Sequence, residues 1–394
     1  MRVAIIDADL IGRRNHRFPN LVAMKLAGYH REHGDDVELI TDYSLLFDAG
    51  GKLLYDHVYL SKVFTDTPVP AELLTLPTVS YGGTGFFYAD APPLADEIEH
   101  HMPDYHLYDG WVERQIAAGV KRSALTYFLD YSIGFTTRGC IRGCSFCVNR
   151  NSQKACVHSP LSEFLDDSRP YICLLDDNVL ACAEWRAVFD NLRAANKPFQ
   201  YKQGLDERLL TEEKCKVLFS SKWRGDYIFA FDKLSDMNLI ESKLKLIRRY
   251  TTAVPKFYVF TGYDHRSPDG VPADASFWQS DLRDLYTRIA LLLSYRCLPY
   301  VMRFAGYTAS PYAGVYVQLA RWSNQPAFVK KKTFVEFCLM HKKGSATMRA
   351  LELLRADLLD VYEGFSWLRF GGTFMPLAHS PPTHPTAQSI TSNP

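Results

Sequence analysis

The chain has 394 residues, of which 47% are hydrophobic and 23% are charged, so two to three domains with sizeable cores are expected. Lys and Arg total 45 against 44 Asp and Glu, and this balance excludes a polyanion-binding character of the whole chain, but not a local basic patch. Its apolar runs are far shorter than the ~20 residues of a membrane span. The N-terminus has no signal-peptide pattern, and a cytoplasmic location is expected.

Residues 1–115 are predicted to form a Rossmann-like domain, because short apolar runs alternate with helical or turn-rich segments. The predicted elements are, in chain order, a strand at 3–6, a helix at 21–33, and strands at 37–40, 57–64 and 78–81. A linker is predicted at 116–131. The wider stretch 90–131 is expected to be structured, because Trp111 and several tyrosines lie in it.

Residues 132–326 are predicted to form a partial parallel (β/α)6 barrel. The strands are predicted to end near Thr136, Leu175, Gln203, Phe231, Phe260 and Arg303, and the helices to cover 184–195, 211–221, 235–250 and 278–295. A strand–helix repeat of roughly 30 residues is typical of parallel β/α barrels. Six repeats are fewer than the eight of a closed barrel, so the prediction is an open one.

Residues 327–375 are predicted to be a basic helical segment, with a helix at 347–362, and residues 376–394 a disordered tail. The basic residues around this segment are Arg321, Lys330, Lys331, Lys332, Lys342, Lys343 and Arg349. The stretch Lys330–Lys343 could contact an anionic substrate such as RNA, DNA or a nucleotide. A solvated helix face is the alternative interpretation.

Three of the nine cysteines, Cys140, Cys144 and Cys147, lie close together directly after the first predicted barrel strand. Three thiolates on one loop suit an iron–sulfur cluster or zinc, and Gly139 and Gly143 allow the loop to wrap closely. Structural zinc usually has four ligands in two CxxC-like pairs, whereas the other six cysteines are scattered singly. The spacing therefore favours an iron–sulfur cluster with one iron open to a substrate.

The Cys-x3-Cys-x2-Cys pattern, with Phe146 before the last cysteine, resembles the radical S-adenosylmethionine (radical SAM) superfamily of enzymes. The resemblance implies that Cys140, Cys144 and Cys147 hold a catalytic 4Fe–4S cluster whose fourth iron is chelated by SAM. One electron then cleaves SAM to methionine and a 5′-deoxyadenosyl radical, which abstracts hydrogen from a substrate. It also implies that Phe146 lies against the adenine, and that a one-electron reductant of the flavodoxin or ferredoxin type is a partner.

The resemblance extends to residues at later strand ends, which would contact SAM. These residues are Asp176 and Asp177 after the second strand, Gln203 and Asp206 after the third, Asp232 after the fourth and Gly262 after the fifth. Asp264 and Arg303 lie at the last two strand ends, so polar groups are expected to converge on one face. Each carboxylate taken alone is equally well explained as a helix N-cap or turn residue.

A Rossmann-like domain before such a barrel is similar to the architecture of cobalamin-binding members and of methylthiotransferases. The cobalamin signature Asp-x-His-x-x-Gly is not intact, because Asp9 occupies the histidine position within Asp7–Gly12. Cobalamin binding is therefore left open without support from this motif. Gly82-Gly83 resembles a turn that approaches a ligand in such domains, and a plain tight turn explains it equally well.

The absence of a cysteine before Cys140 disfavours a methylthiotransferase, and a single cluster is expected. The main hypothesis is hydrogen abstraction by an enzyme that does not use cobalamin, and two alternatives to it are retained. One is a cobalamin-assisted methyltransferase, and the other is a non-catalytic iron–sulfur or zinc scaffold that binds nucleic acid.

Overall fold

The computed structural model describes residues 1–272 and 274–377. It contains two compact units, residues 1–225 and the described residues from 226 onward. Both are α/β units built mainly on parallel sheets, as predicted. From residue 378, the tail predicted to be disordered lies outside the described residues. Within the described ranges, no helix is both long and apolar enough to cross a membrane.

The first unit begins with a four-stranded sheet and continues with a three-stranded sheet and a two-stranded ribbon. Its strands are β1 Arg2–Asp7, β2 Asp36–Ile40, β3 His57–Ser61, β4 Val79–Gly82, β5 Tyr131–Gly134, β6 Thr137–Arg138, β7 Cys156–Val157, β8 Tyr171–Leu174 and β9 Phe199–Tyr201. Its helices are α1 Ala8–Gly12, α2 Leu21–Glu32, α3 Thr84–Phe87, α4 Asp96–Glu99, α5 Asp109–Ala117, α6 Thr126–Leu129, α7 Trp185–Ala194 and α8 Glu212–Ser220.

The N-terminal sheet is parallel, with the order β2-β1-β3-β4. Side chains of β1 alternate between its two faces. Val3 and Ile5 belong to the core that contains α2, whereas Ala4 and Ile6 belong to the core on the other face. Helix α2 begins where the Asn20 side chain accepts a hydrogen bond from a backbone N–H in its first turn. This arrangement confirms the predicted Rossmann-like layer.

The predicted strand at 57–64 is shorter, because β3 ends at Ser61 and the chain then leaves the sheet. The stretch 90–131 is structured, as expected, since it contributes Tyr105, Tyr108 and Trp111 to the core around α2. Part of the segment predicted as a linker is helical, because α6 lies within it.

The second sheet of this unit is parallel, with the order β5-β8-β9, and these strands end within two residues of the predicted positions. Helices α7 and α8 confirm the predictions at 184–195 and 211–221. The first strand–helix repeat differs from the prediction, because no α-helix is described between β5 and β8. The chain there forms the β6–β7 ribbon and the cysteine-bearing loop, whose Gly139 and Gly143 have positive φ values incompatible with a helix.

The second unit has a parallel sheet of order β10-β11-β12 and a helical C-terminal part. Its elements are β10 Ile228–Ala230, α9 Met237–Tyr250, β11 Lys256–Thr261, α10 Phe277–Ser294, β12 Leu298–Arg303, α11 Ala313–Ser323, α12 Pro326–Val329, α13 Phe334–Leu339, α14 Ala346–Asp357 and α15 Leu359–Trp367. The helices predicted at 235–250 and 278–295 are confirmed. The single helix predicted at 347–362 is wrong, because the chain turns at the buried Leu358, so that α14 packs on α11 and α15 on α10.

Candidate functional site

The three clustered cysteines lie on a loop that is closed at its base by the β6–β7 ribbon. In this antiparallel pair Thr137 faces Val157 and Arg138 faces Cys156. We call residues 139–155, which lie between the two strands, the cysteine loop. Cys140, Cys144 and Cys147 are all partly exposed. The loop follows β6, which begins shortly after β5, so it lies after the first strand of the β5-β8-β9 sheet, as the sequence predicts.

Gly139 is required where the cysteine loop leaves β6. Its φ is +92°, in the region that favours glycine, and a Cβ atom there would lie 2.2 Å from the carbonyl oxygen of Lys154. The close approach brings the first residue of the loop next to Lys154, near the loop's end. At Gly143 φ is +55°, with no comparable close contact.

Asp176, which lies in the turn after β8, holds the chain immediately before the cysteine loop. Its carboxylate is buried and accepts hydrogen bonds from the backbone N–H and the hydroxyl of both Thr136 and Thr137, at 2.6 to 2.9 Å. Burial raises the pKa of Asp176 to about 6, although these four hydrogen bonds oppose the rise. The contacts give Asp176 a positioning role.

Asp177 connects the two ends of the cysteine-bearing segment. Its Oδ2 atom accepts a hydrogen bond from the backbone N–H of Gly139 at 2.8 Å, and its Oδ1 atom accepts one from the Asn149 side chain at 2.6 Å. Gly139 directly precedes Cys140, and Asn149 follows Cys147 by two residues. One carboxylate therefore fixes both flanks of the three cysteines.

Asn178 and Asp206 hold the first part of the loop, around Cys140 and Arg142. The Asn178 side-chain nitrogen donates to Cys140 Sγ at 3.4 Å and to Asp206 Oδ2 at 3.3 Å. Arg142, which lies in the loop, and Arg208 both donate to the Asp206 carboxylate, at 2.5 and 2.8 Å. Burial would raise the pKa of Asp206, but the hydrogen bonds and charges of the two arginines outweigh it and lower this pKa below its usual value.

The three cysteines supply the thiol ligands that an iron–sulfur cluster requires. In the part of the chain that the structure describes, no three His, Cys, Asp or Glu side chains are grouped closely enough to hold a metal ion, so the cysteines share a loop without forming a coordination site. Their chemistry fits a cluster, because all three thiols are accessible on a loop with fixed ends. Asn178 Oδ1, buried beside Cys140 without a hydrogen-bond partner, also fits a group bound there.

Four of the other cysteines are less suited to bind metal. Cys173 and Cys182 are buried, and burial raises the pKa of their thiols to about 12 and about 11. Burial also raises the pKa of Cys297 to about 11 and that of Cys338 to about 12. Because the thiolate is the ligand form, these residues remain poor ligands near neutral pH.

Phe146 and Gln203 lie near the ends of this arrangement. The backbone carbonyl of Phe146 accepts a hydrogen bond from the hydroxyl of Tyr88 at 2.6 Å, and its side chain is partly exposed. Gln203 is exposed on the turn after β9. The structure therefore brings Asp176, Asp177 and Asp206 into contact with the cysteine loop or the residues before it, and places Gln203 at the surface.

The predicted site residues of the second unit lie at the ends of β10 and β11. Asp232 accepts a hydrogen bond from the backbone N–H of Phe260 at 3.1 Å, and the N–H of Gly262 donates to Asp281 at 3.0 Å. The buried Arg288 donates to the carbonyl oxygens of Phe231, Asp232 and Phe260. These hydrogen bonds link the chain after β10 to the end of β11.

The two other polar strand-end residues of the second unit have local partners. Asp264 forms an ion pair with Arg266 at 2.8 Å. The guanidinium of Arg303 donates to the Tyr307 hydroxyl at 3.0 Å.

In α1, directly after β1, both carboxylate oxygens of Asp9 already have hydrogen-bond partners, so Asp9 is not available as a ligand. Its Oδ2 atom accepts a hydrogen bond from the N–H of Val63 at 2.7 Å, and its Oδ1 atom accepts one from the Thr67 hydroxyl. The glycine turn after β4 is also tightly packed, because a Cβ atom at Gly83 would lie 2.3 Å from the Lys62 carbonyl oxygen. The geometry therefore favours the tight-turn interpretation of this glycine pair.

The sequence analysis did not identify the hydrogen-bond partners that the folded cysteine loop provides. Arg142 and Asn149, which bind Asp206 and Asp177, gave no signal of their own. Ser152, whose hydroxyl accepts a hydrogen bond from the Cys140 N–H at 3.0 Å, and the distant Tyr88 were missed as well. A polar residue inside or just after a cysteine motif was the only available hint for Arg142 and Asn149.

Comparison with known proteins gives structural but no sequence similarity. No protein-family model and no curated protein matches the sequence. One similar structure is that of the radical SAM methyltransferase TsrM from Kitasatospora setae, solved with cobalamin and a [4Fe-4S] cluster. Its TM-score is 0.49 with 13% identity, and the match covers 77% of this chain and 75% of that one.

A second similar structure is the cobalamin-dependent S-adenosylmethionine radical enzyme OxsB, solved with aqua-cobalamin and S-adenosylmethionine. Its TM-score is 0.34 with 11% identity, and the match covers 94% of this chain and 57% of that one.

Proposed function

We propose that the chain is a radical SAM enzyme that abstracts hydrogen from a substrate still to be identified. The observation that carries this proposal is the cysteine loop itself. Three accessible thiols follow a strand of a parallel sheet, and the consecutive residues Asp176, Asp177 and Asn178 hold the chain before, around and within that loop. Carboxyl ends of parallel strands are the usual place for active sites in β/α repeats.

Cys140, Cys144 and Cys147 would hold a 4Fe–4S cluster. When bound, the cluster supplies the electron that cleaves SAM to methionine and a 5′-deoxyadenosyl radical. Asp176 and Asp177 keep the loop in place through hydrogen bonds to its flanks. Fixed loop ends reduce the entropy lost when three separate thiols converge on one group.

The residues that the family resemblance implies as SAM contacts are Phe146, Asp176, Asp177, Gln203, Asp206, Asp232 and Gly262. Asp176, Asp177 and Asp206 already accept hydrogen bonds from the chain, so we assign them to positioning the loop and to giving the site negative charge. Asn178 Oδ1 is a buried acceptor without a partner, which makes it suitable for a donor group such as an ammonium.

Metal analysis after anaerobic reconstitution tests this proposal. We expect about four irons per chain in the wild type and a loss of most of this iron in Cys140→Ser, Cys144→Ser and Cys147→Ser. Cys156→Ser, at a partly exposed cysteine in β7, is the matched control and should retain the iron. Zinc at about one per chain without a cluster would contradict the proposal and support a non-catalytic scaffold.

A cobalamin-assisted methyltransferase is the second candidate, favoured by an aromatic surface on the N-terminal sheet. Phe64 follows β3, Tyr81 lies in β4, and Phe87 lies in the helix after it; all three are exposed. The rings of Tyr81 and Phe87 are stacked with centroids 5.8 Å apart. Exposed aromatic residues at the carboxyl edge of a parallel sheet suit a large planar ligand.

Retention of hydroxocobalamin after gel filtration, read from its absorbance, tests this candidate. Phe87→Ser should lower the retained fraction several-fold, and the exposed Ile116→Ser on α5 should leave it unchanged. Because both oxygens of Asp9 are engaged, Asp9→Asn should not alter the spectrum of bound cobalamin. Wild-type protein that retains no cobalamin would contradict the candidate.

The proposed partners are a one-electron reductant of the flavodoxin or ferredoxin type and an anionic substrate that contacts the basic stretch Lys330–Lys343. Lys331, Lys342 and Lys343 carry charge at or near the surface, which supports such a contact. Binding of a labelled single-stranded RNA at low salt tests it. The double variant Lys342→Gln/Lys343→Gln should bind the RNA more weakly and with a smaller salt dependence. The control Lys216→Gln, at an exposed lysine on α8, should bind like the wild type. Wild-type protein without measurable RNA binding would exclude a nucleic-acid substrate at this stretch.

A further inference from the structure

The side chain of Asn178, the last of the three consecutive residues after Leu175, contacts a cysteine sulfur. Its side-chain nitrogen lies 3.4 Å from Cys140 Sγ, within the range of an N–H···S hydrogen bond. The residue is only 4% exposed, so this contact is formed away from solvent. A hydrogen bond is electrostatically stronger in such surroundings than in water.

The orientation of the Asn178 amide is determined by Asp206. The same nitrogen lies 3.3 Å from Asp206 Oδ2, and a carboxylate oxygen accepts but does not donate when ionised. Rotating the amide by half a turn would place its oxygen against this carboxylate. The ion pairs of Asp206 with Arg142 and Arg208 lower its pKa and keep it ionised, so the amide N–H remains directed at Cys140.

We propose that the Asn178 amide sets the reduction potential of the cluster by donating a hydrogen bond to the sulfur of Cys140. The inference rests on the function proposed above. Reduction adds negative charge to a cluster and its sulfur ligands, and an N–H donor stabilises that added charge, so the potential is raised. Asn178 is therefore a positioning and tuning residue, with Asp206 holding it in place.

The sign of the effect separates tuning from a purely structural role. Removing the donor lowers the potential, whereas loosening the loop admits water to the cluster, and water raises it. Asn178→Leu removes both donors with little change in volume. Gln200→Leu is the matched control, because the Gln200 amide lies 3.8 Å from the sulfur of Cys173, a buried cysteine of the same sheet that is not a proposed ligand.

The experiment is an anaerobic redox titration of the reconstituted proteins, followed by the EPR signal of the reduced cluster. We expect a lower midpoint potential in Asn178→Leu than in the wild type, and the same potential in Gln200→Leu. An unchanged or higher potential in Asn178→Leu, with iron content retained, overturns the inference but leaves the proposed function standing. A wild-type protein without a cluster overturns both.

Resonance Raman spectra of the wild type provide a second measurement, which applies even if Asn178→Leu does not fold. The Fe–S(Cys) bands of the wild-type cluster are compared in H2O and D2O. We expect a shift in D2O, because the amide proton that bonds to Cys140 Sγ is exchangeable. The shift should be larger than in Asn178→Ala, in which the exchangeable backbone N–H of Asn149 still donates to Cys147 Sγ. The conservative variant Asn178→Gln keeps an amide donor, so the shift should persist in it. Wild-type bands that do not change in D2O overturn the inference.

Discussion

The carboxylate of Asp177 and the backbone nitrogen of Gly139 lie 2.8 Å apart, and this contact joins the turn after β8 to the first residue of the cysteine loop. The second oxygen of the same carboxylate binds Asn149 at the far side of the cysteines. The neighbouring Asp176 holds Thr136 and Thr137. Two adjacent carboxylates on one turn therefore hold the start of the loop and both flanks of its three cysteines.

Replacement of Asp177 by Asn should reduce the iron that the chain holds to less than about half of the wild-type amount. The amide has one accepting oxygen in place of two, so either Gly139 or Asn149 loses its partner, at a cost of about 1–3 kcal/mol. Iron content after reconstitution measures the effect. Asp167→Asn, at an exposed carboxylate in the same unit, is the control. Full iron content in Asp177→Asn would show that these two contacts are dispensable.

Gly139→Ala should destabilise the first unit more than Gly119→Ala. Both glycines have φ near +90°, so both variants incur the same backbone strain of about 1–2 kcal/mol. Only at Gly139 does the new Cβ meet a backbone atom, the Lys154 carbonyl oxygen, and this contact should add about 1–3 kcal/mol. Urea unfolding measures the difference. Equal destabilisation of the two variants would mean that the loop base relaxes without cost.

Much of the fold follows from sequence periodicity, and the site follows from it only in part. The pattern in β8, α7 and α9 is local, so the end of β8 and the bounds of both helices were predicted to within two residues. The break at Leu358 has no Gly or Pro signal and arises from packing of α14 and α15 on different helices. Propensity alone therefore predicted a single continuous helix there.

The site illustrates the same limit. Asp176 and Asp177 were identified from their place after a strand, but their partners depend on how the cysteine loop folds back. The hydrogen bond from Tyr88 to Phe146 joins residues far apart in the sequence and has no local pattern. Residue types and strand ends could thus be predicted, whereas the hydrogen-bond partners required the folded chain.

A double-mutant cycle between Arg142 and Asp206 should give a coupling free energy of about 1–3 kcal/mol. The Asp206 side chain is nearly buried, so its pair with Arg142 is shielded from solvent and loss of one partner leaves a buried charge. The exposed pair Arg186–Asp190 on α7 is the control cycle and should give less than about 0.5 kcal/mol. Unfolding of Arg142→Gln, Asp206→Asn and the double variant measures the coupling. Similar values for the two cycles would refute a special role of the loop ion pair.

Asp7 should make the stability of the first unit fall as the pH rises from about 4 to about 7. Burial raises the pKa of Asp7 to about 7, whereas the unfolded chain titrates near its ordinary value of 3.8. In this window the folded state binds more protons than the unfolded state, so stability decreases with pH, by at most about 1.4 kcal/mol per pH unit. Outside the window the contribution is constant.

Urea unfolding of the wild type and Asp7→Asn at several pH values measures this contribution. The free energy of unfolding of Asp7→Asn should rise relative to the wild type between about pH 5 and pH 7, because the amide has no proton to lose. The hydroxyl of Tyr108 donates a hydrogen bond to Asp7 at 2.9 Å. Burial, and not this hydrogen bond, raises the pKa of Asp7. The stability of Tyr108→Phe should therefore also decrease with rising pH in this window. Parallel pH profiles of wild type and Asp7→Asn would exclude the raised pKa.

The central claim is that the cysteine loop supports reductive cleavage of SAM. The most direct measurement is the release of 5′-deoxyadenosine from SAM by anaerobically reconstituted protein after addition of dithionite. We predict dithionite-dependent release by the wild type and none by Cys144→Ser. Wild-type protein that holds about four irons per chain yet neither binds nor cleaves SAM would contradict the claim.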